Sequence, residues 1–273
     1  MPGRPDWLVA LINTEVDIRI RNDARTMAAP NTFLGYPKDR IFQEVLGGGQ
    51  ADFDAPIGKL TGEDRALLYA KYNQSRHLDE LGEAFDQLFS ITSRAGQPTL
   101  IDLGCGPFTA GLALAATLNK ARAFRYHGFD RADSMRGLGA RFAETAKRLG
   151  AFHPNATWSF GQNLDIHDFG RIRGDLTLVV ASYLLASPTV DVESLVGSVV
   201  NAVNRIGPGP AAVLYTNSAK PGPNKKYPSF SKALRESGFE LKRDHVELFQ
   251  KTKNPADLRY ALFFRPATTV LKF

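Results

Sequence analysis

The chain has 273 residues, 43% of them hydrophobic and 23% charged. That is enough apolar material for one large domain, or a domain with a smaller appendage, and it excludes a mostly disordered chain. A single cysteine, Cys105, excludes an internal disulfide framework and a zinc site built on several thiolates. The net charge is +6, and the excess sits at one end: residues 206–273 hold 12 basic and 5 acidic residues, whereas residues 1–97 hold 11 and 14.

No stretch approaches the roughly 18 consecutive apolar residues of a membrane span. The first residues, Met-Pro-Gly-Arg-Pro-Asp, lack the apolar core of a secretory signal. The expectation is a cytoplasmic protein with no membrane partner. From the N-terminus, Trp7 opens a helix to about Arg25, and Ala29-Pro30-Asn31 and Gly35-Tyr36-Pro37 break it. Gly47-Gly48-Gly49 is a flexible break. A long helix follows over residues 61–93, with Thr61 and Asp64 spaced as a capping box. Leu68, Tyr72, Ser75, Leu78, Gly82, Phe85 and Phe89 recur along it at helical spacing, so Tyr72 reads as a packing residue. Residues 1–97 are thus expected to form a mainly helical cap or substrate region.

From Pro98 strands and helices alternate. Strands are expected at 99–103, 124–130, 157–162, 175–182 and 211–216, and helices at 109–122, 134–149, 192–206 and 229–237. Residues 240–249 and 258–264 then suit an antiparallel hairpin. The run Asp175 to Ser182 is apolar throughout, as in a strand covered on both faces. The fold class is α/β: a Rossmann-like, mainly parallel seven-stranded sheet over residues 98–273 with a helical N-terminal extension. Ligands of such sheets bind at the carboxyl ends of the strands.

The first strand runs into Asp102-Leu103-Gly104-Cys105-Gly106-Pro107-Phe108-Thr109. The glycines permit a sharp turn and close approach of backbone to a ligand, and Pro107 suits a helix start. A dinucleotide fingerprint needs a third glycine where Thr109 stands. The second strand ends in Asp130, whose carboxylate suits a ribose diol. One helix and one strand fit between Gly106 and Asp130.

The segments IDLGCGP and GFDRADSM resemble the class I S-adenosylmethionine (SAM)-dependent methyltransferases. The resemblance covers about residues 98–265. It implies SAM as cofactor and assigns roles by position. Asp102 matches the first-strand acid that supports the loop and the methionine amino group. Gly104, Cys105 and Gly106 match the loop under methionine and ribose. Asp130, followed by Arg131, matches the ribose acid, and Met135 a position that packs on adenine. Where the family often has an acid and a small residue beside adenine, this chain has Gln162-Asn163-Leu164 with Asp165 following, and Asn163 is the favoured contact. Ser182-Tyr183 ends the fourth strand facing the methyl group, with Tyr183 the leading catalytic candidate. Arg76 is a candidate for the methionine carboxylate.

The resemblance requires no metal, and the histidines at 77, 127, 153, 167 and 245 show no metalloprotease-type pair. The Asn/Asp-Pro-Pro-Tyr/Phe run of amino-directed nucleic-acid enzymes is missing after the fourth strand. Cys105 is misplaced for cytosine-carbon chemistry and reads as a small buried residue. Two further readings stay open: a non-catalytic SAM-binding interaction protein, and a nicotinamide-dependent oxidoreductase, which Thr109 disfavours. The acceptor is also open. RNA and a small molecule stand level, with protein behind. RNA is suggested by Lys220, Lys225 and Lys226 after the fifth strand and by Lys242, Arg243, Lys251, Lys253 and Arg259. Composition does not address the oligomeric state.

Overall fold

The computed structural model describes residues 3–92, 96–170, 175–250 and 255–267. Ser93, Lys251 and Lys253 lie outside them. The main sheet has seven strands: β1 (Pro98–Leu103), β2 (Arg125–Phe129), β3 (Thr157–Gly161), β4 (Leu176–Ser182), β5 (Ala211–Ser218), β6 (Glu240–Phe249) and β7 (Ala256–Arg265). Their order is 3-2-1-4-5-7-6. The first five run parallel. β7 returns antiparallel between β5 and β6, so the final hairpin inserts its second strand into the sheet and leaves its first at the edge. β6 carries Lys242, Arg243, Asp244 and Glu247, charges that discourage pairing with another chain's edge.

The central strands are apolar on both faces. Leu100, Leu178, Val180, Leu214 and Leu262 enter one core, and their alternate neighbours Ile101, Val179, Ala181, Val213 and Phe263 enter the other. This is the period-two division of a doubly covered sheet. Helices α1 (Asp6–Ile12), α2 (Gly62–Tyr69), α3 (Ser75–Ile91), α4 (Thr109–Leu118) and α5 (Asp133–Arg148) belong to the first layer, and α6 (Val192–Ile206) and α7 (Tyr227–Glu236) to the second. The N-terminal region shares the first core: Leu11, Val16, Leu68 and Phe85 are fully buried with the residues of α4 and α5.

The capping box expected at Thr61 is present, with both reciprocal bonds to Asp64. Two expected helices differ in form. The first passes from α1 through a π-helical turn (Asn13–Ile18) to Arg21, and the long one is interrupted by a second π-helical turn (Ala70–Gln74) between α2 and α3. Such turns shift which side chains face inward and often mark functional segments. The helix expected to 122 stops at Leu118, because Asn119 and Lys120 adopt positive φ.

The N-terminal region also caps the sheet domain directly. Asp54 accepts from the backbone N–H groups of Asp133 (2.8 Å) and Ser134 (2.9 Å) and serves as a remote N-cap for α5, whose own cap residue, Ala132, has no side-chain oxygen. Glu15 is buried against the same helix and accepts from Thr145 Oγ1 at 2.8 Å. Asp54→Ala is expected to lower the unfolding free energy by about 1 kcal/mol, the usual worth of an N-cap. Chemical denaturation checks this, and no change in midpoint would show that the cap is dispensable.

Candidate functional site

At the carboxyl ends of β1 and β4 the strand order switches direction, and a cleft of about 780 Å³ opens there. Gly104, Gly106, Asp130, Arg131, Met135, Asn163, Leu164, Ser182 and Tyr183 all line it. Asp102 and Cys105 do not. They lie buried behind the loop, where Asp102 accepts from Tyr126 Oη at 2.7 Å. Burial raises the Cys105 thiol far above its ordinary value, so it is inert as a nucleophile.

Gly104 and Gly106 adopt φ of +67° and +49°. A Cβ on Gly104 would lie 3.0 Å from Leu184 Cδ1, and one on Gly106 would point to within 3.8 Å of Tyr69 Cε1. The loop is therefore a bare backbone surface with Tyr69 above it. Asp130 holds this surface from the side: its carboxylate accepts from Gly106 N at 3.0 Å and from Ala132 N at 3.0 Å. An ionised carboxylate offers about four lone-pair sites, so two remain for a ligand in the cleft. Arg131 crosses the mouth, donating to Thr189 Oγ1 (3.3 Å) and to the carbonyl of Ala51 (3.5 Å). Asn163 Oδ1 is taken by the N–H of Asp165 at 2.8 Å, which leaves its amide N–H groups for a ligand. Met135 and Leu164 are buried apolar walls.

Burial, opposed by the Tyr126 hydrogen bond, pushes Asp102 up to about 7, and the Asp130 charge adds to the rise. The folded protein therefore keeps a proton that the unfolded chain releases near pH 4. This contribution to stability is complete below pH 4 and is lost as pH rises to about 7. Asp102→Asn is expected to flatten the fall in stability across that window, by up to about 1 kcal/mol per pH unit. Melting curves between pH 4 and 8 test it, and parallel profiles for the two proteins would refute it.

A second cavity, of about 660 Å³, lies within the N-terminal region, which supplies all of its lining residues except Tyr183 and Ala186. It shares Gly49, Gln50, Tyr69 and Tyr183 with the cleft. At the junction three rings lie together: His77 stacks on Tyr183 with centroids 4.2 Å apart, and Tyr69 meets His77 edge-on at 6.4 Å. Burial and the neighbouring Arg76 charge lower the His77 imidazole to about 3, so it is neutral at ordinary pH. Tyr183 has φ of +58°, a conformation that costs a residue with a side chain about 1–2 kcal/mol. Arg76 contacts Tyr183 and Glu80. It lines this chamber rather than the cleft.

Sequence reading missed Tyr69, Gln74 and Glu80. Gln74 Nε2 donates to the carbonyl of Pro107 at 3.0 Å and ties the second π turn to the glycine loop. Tyr72, read as packing, lines the chamber and donates to the carbonyl of Lys38 at 2.7 Å. A π-helical turn displaces the helical register by one residue, so the single constant spacing expected over residues 61–93 did not point to these positions. His127, in the middle of β2, and His167, 40 residues later, meet with Nδ1 and Nε2 3.0 Å apart. Among the described residues no group of three or more metal-binding side chains occurs, and no helix is long and apolar enough to cross a membrane.

The basic loop is arranged differently from the expectation that its lysines contact phosphate. Lys226 Nζ donates to the carbonyls of Ser187, Pro188 and Val190 at 2.6–3.0 Å and pins the segment after β4 that borders the cleft. Lys242 pairs with Glu240, and Arg259 with Asp244. Lys220 and Lys225 are exposed.

No protein-family model and no curated protein matches the chain. Among solved structures, it is similar to the magnesium protoporphyrin IX methyltransferase of Synechocystis with bound SAM, at 13% identity over 89% of this chain and 97% of that one, with a TM-score of 0.48. It is similar to the N-methyltransferase NodS from Bradyrhizobium japonicum at 14% identity over 72% and 99%, TM-score 0.47. It is also similar to a TehB-like SAM-dependent methyltransferase from Corynebacterium glutamicum, at 18% identity over 74% and 98%, TM-score 0.45. All three of these proteins are methyltransferases.

Proposed function

We propose that the protein transfers the methyl group of SAM to a small molecule held in the chamber within its N-terminal region. The observation that carries this reading is the meeting of cleft and chamber at Tyr69 and Tyr183. A ligand seated on the glycine loop and a second ligand in the chamber would meet along this shared wall, which Gly49 and Gln50 complete.

The residues of the cleft fit the cofactor. Asp130 offers its two free lone-pair sites to the ribose hydroxyls. The bare backbone at Gly104 and Gly106 accommodates a ligand in contact, and Met135 and Leu164 supply flat apolar surface for a base. Tyr69 and Tyr183 turn aromatic surface to the junction, which favours a cation there. When bound, SAM supplies a methyl group already activated by its sulfonium. The protein's task is then alignment of donor and acceptor, which can contribute roughly 7–11 kcal/mol.

A small acceptor is favoured over RNA because the chamber has the size of a small-molecule site. In addition, Lys226, Lys242 and Arg259 are engaged within the protein. Calorimetry with SAM and with NAD tests the cofactor: SAM is expected to bind and NAD is not. Incubation of a cell extract with methyl-labelled SAM then tests the acceptor. Label is expected in the metabolite fraction, label in RNA would overturn the acceptor class, and SAM binding with no label anywhere would mark a non-catalytic binding protein.

A further inference from the structure

Tyr183 has its hydrogen-bonding capacity almost fully assigned. Its hydroxyl carries one proton and two lone pairs. The proton is directed to Glu80 Oε1 at 3.2 Å. One lone pair accepts from Arg76 Nη2 at 3.2 Å. Arg76 cannot reverse that bond, because a guanidinium only donates. Glu80 is held in turn by Arg76 Nε at 2.6 Å, so the three side chains close into a ring with fixed polarity. One lone pair of Tyr183 is left, on a residue that lines both cavities. Toward a ligand, this oxygen can act only as an acceptor.

We infer that Tyr183 accepts a hydrogen bond from a proton-bearing nitrogen or oxygen of the methyl acceptor, and that Arg76 and Glu80 position it for this role. The inference rests on the methyl-transfer reading and narrows its substrate class to amines and hydroxyl compounds. The step balances as follows. The lone pair of the acceptor's nitrogen or oxygen forms the bond to the methyl carbon, and the carbon–sulfur bond breaks with its electron pair passing to sulfur. The proton leaving the acceptor goes to Tyr183 Oη as the proton of Tyr183 passes to Glu80. The sulfonium charge and the Glu80 charge are both consumed, leaving a thioether, a neutral carboxylic acid and a neutral methylated product.

Glu80 is suited to receive a proton. It is 1% exposed, and its Oε2 has no hydrogen-bond partner. Burial raises its carboxyl above the ordinary range, against the opposing Arg76 charge and the hydrogen bonds from Arg76 and Tyr183. The other charged neighbour, Asp79, is paired with Arg4. His77, stacked on Tyr183, is neutral and adds no charge.

The test uses the full chain, methyl-labelled SAM and the metabolite fraction of a cell extract, with the labelled product identified by mass spectrometry. The label is expected on a nitrogen or oxygen that carried hydrogen; label on carbon, on the sulfur of a thioether or on a nitrogen that becomes a quaternary ammonium would overturn the inference. Tyr183→Phe keeps the ring on His77. It is expected to bind SAM within about twofold of wild type by calorimetry and to lose about 10²–10⁴-fold in kcat. Glu80→Gln is expected to abolish the acidic limb of the pH profile of kcat/KM, a change that mere loosening of the helix would not produce. A folded Tyr183→Phe protein with wild-type kcat, or a Glu80→Gln protein with an unmoved acidic limb, defeats this inference while leaving methyl transfer intact. Failure of the wild-type protein to bind SAM, or binding with no labelled product, defeats the methyl-transfer reading itself and this inference with it.

Discussion

Asp130→Ala is expected to weaken SAM binding by about 10- to 150-fold, with the loss toward the upper end of that range. A hydrogen bond to a charged group is worth roughly 1.5–3 kcal/mol, which corresponds to that range of affinity. The upper end follows from the second task of Asp130. Its carboxylate accepts from Gly106 N and Ala132 N, so alanine also leaves the loop amide without its partner. Asparagine is not expected to rescue binding, because its NH₂ group would face one of those two backbone donors. Calorimetry reads the affinity, and circular dichroism confirms the fold. Undiminished affinity in a folded Asp130→Ala protein would remove this residue from the site.

Gly106→Val is expected to reduce binding below detection, a loss of at least about 100-fold, while the sheet remains folded. Two effects combine. At φ of +49° a β-branched residue is strained by about 1–2 kcal/mol, which lowers stability modestly. Its methyl groups would also project into the gap between the loop and Tyr69, where the Cβ alone comes to 3.8 Å from the ring. Gly106→Ala separates the two effects, since it carries the strain without the γ-methyl groups, and it is expected to bind with intermediate affinity. A Gly106→Val protein that melts at a lower temperature but binds SAM normally would show that the cofactor does not approach the loop.

Both predictions concern residues legible in the sequence. The alternation of apolar runs and helical segments after Pro98 determined the α/β class, because each signal is local: a strand buried on both faces must be apolar throughout. The glycine loop and Asp130 were legible for the same reason, each standing directly after a strand. Their placement in one cleft follows from adjacent parallel pairing, with Asp102 opposite Gly128 and Leu103 opposite Phe129.

Tertiary structure decided the rest. The insertion of β7 between β5 and β6 is a choice among long-range pairings, and hydrophobic spacing within a strand does not encode its neighbours. The withdrawal of Asp102 from the cleft depends on Tyr126, 24 residues away, which takes its carboxylate behind the loop. Lys226 looked in sequence like part of a phosphate-binding loop, yet three carbonyls 36–39 residues earlier claim its ammonium group. The chamber was least legible of all. Its wall joins Tyr69 and His77, on either side of a π-helical turn, to Tyr183 at the end of β4, more than a hundred residues later. A π turn is a matter of backbone hydrogen bonding, and the polarity of the Arg76–Tyr183–Glu80 ring exists only once those side chains are within bonding distance.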